Sequence, residues 1–192
     1  VFVSGGVYYN PAKEEVKQLI VDGVLELVSN YDVDGVLFDD YFYPSGDVDV
    51  VDFQNYQEEN PGTSIEEFRL MQVNDLIERV YKVCHKHDVL FAVSPDGNIE
   101  NNYQKHYADV KKWGSSDGYV DYLMPQIYYG FYNETQAFVS VLEEWENLAS
   151  ASSVKLLPVL AFYKVGAVDM FAKSGSEEWI NHDDIIMREI IL

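Results

Sequence analysis

The residues best equipped for chemistry in this sequence are carboxylates that close short apolar runs. Phe38-Asp39-Asp40-Tyr41-Phe42-Tyr43-Pro44 closes one run and Ser94-Pro95-Asp96-Gly97-Asn98 closes the next. Gln126 and Tyr128 end a third, and Tyr163-Lys164 a fourth. If these runs are parallel strands, their C-terminal ends gather on one face, where α/β enzymes build their sites. Cleaving a glycosidic bond needs these residue types. One carboxyl group protonates the leaving oxygen, another attacks the anomeric carbon or activates water, and further polar groups hold the sugar hydroxyls. Asp39, Asp40 and Asp96 are the candidate catalytic residues. Tyr41, Tyr43, Arg69, Asn98, Gln126, Tyr128, Tyr163 and Lys164 are the candidate substrate-binding ones.

Most of these residues also admit a plainer explanation. Neighbouring side chains on a strand point to opposite faces, so one of Asp39 and Asp40 is expected to be catalytic and the other structural. Asp96 precedes Gly97 and is as well suited to a turn as to acid catalysis. Lys164 can pair with a cleft carboxylate or lie on the rim. Arg69 stands near a helix start, where the dipole disfavours a cation, and is expected at the surface rather than as a buried partner of Asp39. His85, His87, His106 and His182 lie mainly in or beside helical sequence, and none has a second ligand at i+4, so no metal site is expected. The sequence has neither a Gly-rich phosphate loop nor a Gly-x-Ser-x-Gly elbow, and no cofactor is expected.

The elements that would position these groups alternate between apolar runs and amphipathic stretches, the pattern of repeated βα units. A short strand is predicted around Val7 to Tyr9. Asn10-Pro11 starts a helix ending near Asn30, with Val16, Leu19, Ile20, Val24, Leu27 and Val28 on one face. Gly35 to Phe38 reads as a strand buried on both faces. The acidic, aromatic segment from Tyr43 to Pro61 shows no clean period and reads as a long loop, where ~2–6 residues are usual. Ser64 and Glu67 form a capping box before a helix carrying Phe68, Leu76, Ile77, Val80, Tyr81 and Cys84. Strands follow at Val89 to Val93, Val120 to Tyr129 with an interruption at Pro125, and Leu156 to Phe162. Helices are predicted over Tyr103 to Trp113, through Phe138 to Leu148, and from near Asp183. Five strands are thus expected in one domain over residues 1–192.

The chain has 33 acidic and 13 basic residues, a formal charge of −20. That balance repels phosphate backbones and anionic membrane surfaces, so nucleic acid is not an expected partner. A hydrophobic content of 47% with 15 Tyr, 10 Phe and 3 Trp excludes a disordered acidic tail. The single Cys84 has no partner for an intramolecular disulfide. No apolar run approaches the ~18 residues of a membrane span, so no membrane insertion is expected. Val1 opens directly into strand-like sequence, without a charged leader region or initiator Met, and reads as a cut end.

Tyr31-Asp32-Val33-Asp34-Gly35 running into Phe38-Asp39-Asp40-Tyr41-Phe42-Tyr43-Pro44 resembles the glycosyl-hydrolase-like 10 family of bacterial envelope proteins. Tyr8-Tyr9-Asn10-Pro11, Ser94-Pro95-Asp96-Gly97-Asn98, Tyr107-Ala108-Asp109-Val110 with Trp113, Gly118-Tyr119-Val120-Asp121-Tyr122, Pro125-Gln126-Ile127-Tyr128-Tyr129-Gly130-Phe131, Tyr163-Lys164-Val165-Gly166 and Glu178-Trp179 extend the likeness in order over nearly the whole chain. The resemblance implies an incomplete (β/α)8 TIM-type barrel covering about the third to seventh βα units, with Asp39 ending the fourth strand. It also implies hydrolysis of glycan strands in peptidoglycan stripped of stem peptides, outside the cytoplasm or in the envelope. Asp39 would then be the nucleophile or transition-state stabiliser. The chain departs from the family at Asp96, where Gln or Phe is expected. Of the family's tryptophan and paired arginines, Phe68-Arg69-Leu70 keeps only Arg69.

Two other readings stay open. One is a carbohydrate-binding barrel without a competent acid, and the other a metal-dependent polysaccharide deacetylase using Asp39 and a His. The spacing between Asp39 and a second carboxyl separates hydrolysis from binding: ~5–5.5 Å suits retention and ~6.5–9.5 Å inversion.

Overall fold

The computed structural model describes residues 2–3 and 6–192. The described chain opens with β1 (Phe2–Val3) and β2 (Gly6–Val7), paired antiparallel in a two-stranded sheet of their own. The expected strand from Val7 to Tyr9 therefore does not join the main sheet. Val7 and Tyr9 are 67% and 69% exposed, and so bury little that would hold the segment against it. The expected cut end at Val1 lies outside the described residues.

Helix α1 (Glu14–Asn30) leads to β3 (Gly35–Phe38), and α2 (Val50–Glu59) and α3 (Ile65–Lys86) lead to β4 (Leu90–Val93). Then come α4 (Ile99–Asn101), a π-helical turn (Asn102–His106), α5 (Val110–Ser115) and β5 (Tyr122–Leu123). Helix α6 (Phe138–Leu148) precedes β6 (Lys155–Leu156), and α7 (Glu178–Asn181) and α8 (Ile185–Ile191) follow. Strands β3 to β6 form one sheet in chain order, every pair parallel, with Phe38 opposite Val93 and Leu123 opposite Leu156. Single bridges extend it, Asp96 to Gln126 and Gln126 to Val159. This is an α/β fold whose strand ends share one edge. The main sheet thus has four strands among the described residues where five were expected.

The helices cover one face of the sheet. Phe91, Val93 and Leu123 are fully buried on that side, among Ile77, Val80, Trp113, Val141 and Trp145 from α3, α5 and α6. On the other face Leu37, Leu90 and Leu157 are 53%, 46% and 51% exposed. They surround a shallow hollow with Ala92, Tyr122 and Met124. The expectation that Gly35 to Phe38 is buried on both faces is corrected accordingly, because the described helices pack on one side alone.

Other departures have local causes. The segment expected to be a loop contains α2, which buries no residue fully and so carries no strong period. Its Phe53 and Tyr56 lie against Phe68 instead. Helix α1 buries Lys17, Val21, Val24 and Val28, while Leu19 and Leu27 stay exposed; the Lys17 ammonium reaches Asp75 and Gln72 on α3. The helix expected from Tyr103 to Trp113 breaks at Tyr107, which adopts φ +51°, and restarts at Asp109, whose carboxylate accepts the Lys112 amide. The Ser64–Glu67 capping box forms in both directions.

Candidate active site

Strand β3 ends at Phe38, and two-residue alternation carries Asp39 to the same face as Leu37, the face without helices. Asp39 Oδ1 accepts a 2.6 Å hydrogen bond from Gln126 Nε2 and a 2.9 Å bond from the Asp40 amide. The chain therefore turns at Asp39 and does not continue as a strand through both acids. Gln126 Nε2 also donates to the Ser94 carbonyl, tying the ends of β3, β4 and β5 together.

The Asp40 carboxyl is half-buried. Burial first, and then the neighbouring Asp39 charge, push it above the usual aspartate range; Asp96 adds to this and His106 opposes it. Asp96 is held differently. Its Oδ1 accepts the Asn98 amide at 2.8 Å and its Oδ2 accepts Asn101 Nδ2 at 3.0 Å, which is the turn-forming arrangement. Burial first, and then the nearby Asp96 charge, raise the Tyr129 hydroxyl, which also bonds that carboxylate. Asn98 is engaged as well, since its Oδ1 caps α4 through the Asn101 amide.

Two hollows flank the Asp39–Gln126 contact. One, of about 870 Å³, is lined by Asp39, Tyr41, Tyr43, Arg69, His106 and Tyr107, with Tyr8 and Tyr9 at its side. The other, of about 500 Å³, is lined by Asp96, Asn98, Gln126, Tyr128, Tyr163 and Lys164. The Tyr128 and Tyr163 rings meet edge to face at 5.7 Å between centroids, and Tyr41 is 86% exposed. Aromatic faces and amide groups around accessible carboxylates suit a ligand rich in hydroxyls and C–H surfaces.

Some expected residues do other work. Arg69 is buried, not on the surface: its guanidinium holds both Asp49 oxygens at 2.6 and 2.8 Å and donates to the Tyr107 hydroxyl at 2.9 Å. Asp49, not Asp39, is its carboxylate partner, and this overrides the unfavourable dipole. Tyr43 is buried too and donates to Asp49 at 2.7 Å. Burial alone would raise the Asp49 carboxyl, but the bonds from Arg69 and Tyr43 hold it below the usual range. Lys164 pairs with Asp169 at 2.8 Å and donates to the Tyr128 carbonyl at 2.7 Å, so it fixes the backbone under an aromatic of the site.

Sequence reasoning missed Asp49, Tyr107, Asp169 and the placement of His106. A usable signal existed for Asp49, because a cation near a helix start calls for a nearby carboxylate. Among the described residues no group of three or more His, Cys, Asp and Glu side chains is arranged to hold a metal ion. No helix among them is long and apolar enough to cross a membrane.

Residues 3–177 match the family model described as Glycosyl hydrolase-like 10. The chain is 30% identical to glycosyl hydrolase YngK of Bacillus subtilis, with 83% of the chain and 35% of that protein covered. It is 32% identical to glycosyl hydrolase DigH of Escherichia coli K12, covering 82% of the chain and 40% of that protein. The chain thus spans well under half the length of these curated relatives. The match over residues 3–177, on the segment that carries Asp39, Asp96 and Gln126, shows that this chain belongs to the Glycosyl hydrolase-like 10 family.

Proposed function

We propose that the chain carries the catalytic face of a glycoside hydrolase acting on a cell-wall polysaccharide of the peptidoglycan type, in the envelope or outside the cell. The carrying observation is the accessible Asp39 carboxylate, oriented by Gln126 between two hollows lined with tyrosines. Asp39 acts as the nucleophile or as the charge that stabilises an oxocarbenium-like transition state. Asp40 is the preferred general acid, because its surroundings favour the protonated form, whereas both Asp96 oxygens already accept hydrogen bonds. The overall architecture in this reading is a (β/α)8 barrel. The open apolar face of β3 to β6 is the surface such a barrel would enclose, and the shared edge of strand ends is its catalytic rim.

The experiment uses the protein encoded by the complete gene, with glycan strands and an activated aryl glycoside as substrates. Asp39→Asn preserves shape and removes the charge. It should lower turnover roughly thousandfold while glycan binding and melting temperature change little, because the lost interaction belongs to the transition state. Asp40→Asn should be severe on glycan strands and mild on the aryl glycoside, whose leaving group needs little protonation. Full turnover in folded Asp39→Asn removes that residue from the mechanism. A wild-type protein that binds glycan and cleaves neither substrate replaces hydrolysis with a binding role.

A further inference from the structure

The hollow of about 500 Å³ beside Gln126 holds hydrogen-bonding groups that the fold itself leaves unused. Asn133, on its wall, is buried at 5% exposure. Its Oδ1 accepts the Thr135 and Gln136 amides at 3.1 and 2.9 Å. Those bonds fix which end of the side-chain amide is oxygen, so Nδ2 is the end left over. It has no hydrogen-bond partner among the described residues, yet it is not sealed from solvent as Trp179 Nε1 is. A largely buried donor left unpaired destabilises the free protein, and an acceptor on a ligand relieves it. The turn that presents Asn133 is rigid. The Phe131 and Tyr132 amides donate to the buried Glu178 carboxylate at 3.0 and 2.8 Å, and a Cβ on Gly175 would meet the Tyr132 carbonyl oxygen at 2.2 Å.

Two more amides on the same wall are fixed in the same way. Asn98 Oδ1 accepts the Asn101 amide at 3.1 Å, and its Nδ2 has no partner among the described residues. Gln126 is the reverse: Nε2 donates to Asp39 and to the Ser94 carbonyl, and Oε1 has no partner among those residues. The Tyr128 and Tyr163 rings and the 86% exposed Phe171 supply apolar surface. The charged groups of the hollow are already engaged, Lys164 with Asp169 at 2.8 Å and Asp96 with the Asn98 amide and Asn101 Nδ2. We propose that this hollow is an acylamino subsite, which takes a sugar carrying an N-acyl group, and that Asn133 selects the acyl carbonyl. This rests on the reading of Asp39 as the centre of a glycoside hydrolase. The acyl carbonyl oxygen accepts from Asn133 Nδ2, the amide N–H donates to Gln126 Oε1, the acyl methyl lies against the aromatic rings, and Asn98 Nδ2 serves a further sugar oxygen. A free ammonium in that place would set its N–H groups against two N–H donors, and a carboxylate would face Asp96 and Asp169. Gln126 joins the subsite to the chemistry, because the same side chain orients Asp39.

The test uses the protein encoded by the complete gene and two probes, a tetramer of N-acetylglucosamine and the same tetramer N-deacetylated. Calorimetry should show the acetylated tetramer binding about tenfold more tightly, because the deacetylated one leaves the amide donors unpaired. Saturation-transfer NMR should place the acetyl methyl protons among those closest to the protein, and neither measurement needs a variant to fold. Asn133→Asp keeps the oxygen that accepts from Thr135 and Gln136 and replaces the NH2 group with a second oxygen. It should lose about five- to tenfold in affinity for the acetylated tetramer, the worth of roughly one hydrogen bond, and gain affinity for the deacetylated one. A merely structural Asn133 would move both affinities alike. Equal affinities in the wild type, binding of neither tetramer, methyl protons without saturation transfer, or an unchanged affinity ratio in folded Asn133→Asp would overturn the proposal. Selective binding in a protein that cleaves no glycan would keep the subsite and remove the reaction it serves. Cleavage of acetylated and deacetylated strands at equal rates would keep the hydrolase and remove the subsite.

Discussion

Asp39 and Asp49 stand ten residues apart and are treated in opposite ways by the fold. Asp39 lies exposed at a strand end, with one oxygen held by Gln126 and by the amide of Asp40, whose own carboxyl follows it in the chain. Asp49 is fully buried and receives three side-chain hydrogen bonds, two from Arg69 and one from Tyr43. The Arg69 guanidinium also packs against the Tyr43 and Tyr107 rings at 5.5 and 5.0 Å. A buried charge matched by donors fixes the long β3–α3 connection in place. Negative charge left in excess on an accessible wall remains available to a substrate. Arg69 and Tyr43, which hold Asp49, line the same cavity as Asp39, so the buried region supports the exposed one.

The sharpest way to break this comparison is to make the same change in both places. Whereas Asp39→Asn should keep the fold and lose turnover, Asp49→Asn should lose stability, by about 3–5 kcal/mol, because it leaves the buried Arg69 charge uncompensated. Urea unfolding midpoints read the difference, and equal stability of the two variants would collapse the distinction. The pH dependence has a definite sign. The Asp49 carboxyl is held below its ordinary value in the folded chain, so its contribution is present above the usual aspartate range and is lost as pH falls through the folded value. Acid melts of wild type should therefore steepen relative to those of Asp49→Asn.

A smaller effect tests how closely the strand ends must approach. A Cβ on Gly97 would meet the Gln126 carbonyl oxygen at 2.3 Å, and the neighbouring Gly97 carbonyl accepts Trp145 Nε1. Gly97→Ala should cost about 1–3 kcal/mol and weaken the Gln126–Asp39 contact, lowering turnover as well as stability. Turnover unchanged at a temperature where the variant is folded would separate Gln126 from the mechanism.

A buried carboxylate without partners gives the converse of Asp49. Glu189 is buried, and neither of its oxygens has a hydrogen-bond partner among the described residues. Burial, then repulsion from Glu178, push it up to about 8. Its contribution is complete below the ordinary glutamate value of 4.5 and is lost as pH rises through about 8. Glu189→Gln should melt higher than wild type at pH 9 and level with it at pH 4, and the same melting difference at both pH values would contradict this. The smallest effect is at the α3 cap, where Ser64→Ala should cost about 1 kcal/mol and leave any activity unchanged.

Local chemistry by itself determined much of this protein. The βα alternation, the capping box before α3, the apolar runs that became β3 to β6 and the polar residues at their ends all follow from side-chain period and turn chemistry, which act over a few residues. The family was legible for the same reason, in motifs such as Phe38-Asp39-Asp40 and Pro125-Gln126. Tertiary structure decided the rest. Asp49 became the partner of Arg69 across twenty residues, and Gln126 that of Asp39 across eighty-seven. Side-chain period and turn chemistry do not reach across such separations, and the cation near the helix start called only for some carboxylate, not for Asp49 in particular. Tyr107 took a left-handed turn that its own propensity opposes, and so brought His106 to the wall of the site. Asp40 came to favour its proton because of what was buried around it, and burial is a property of the packed chain rather than of any segment.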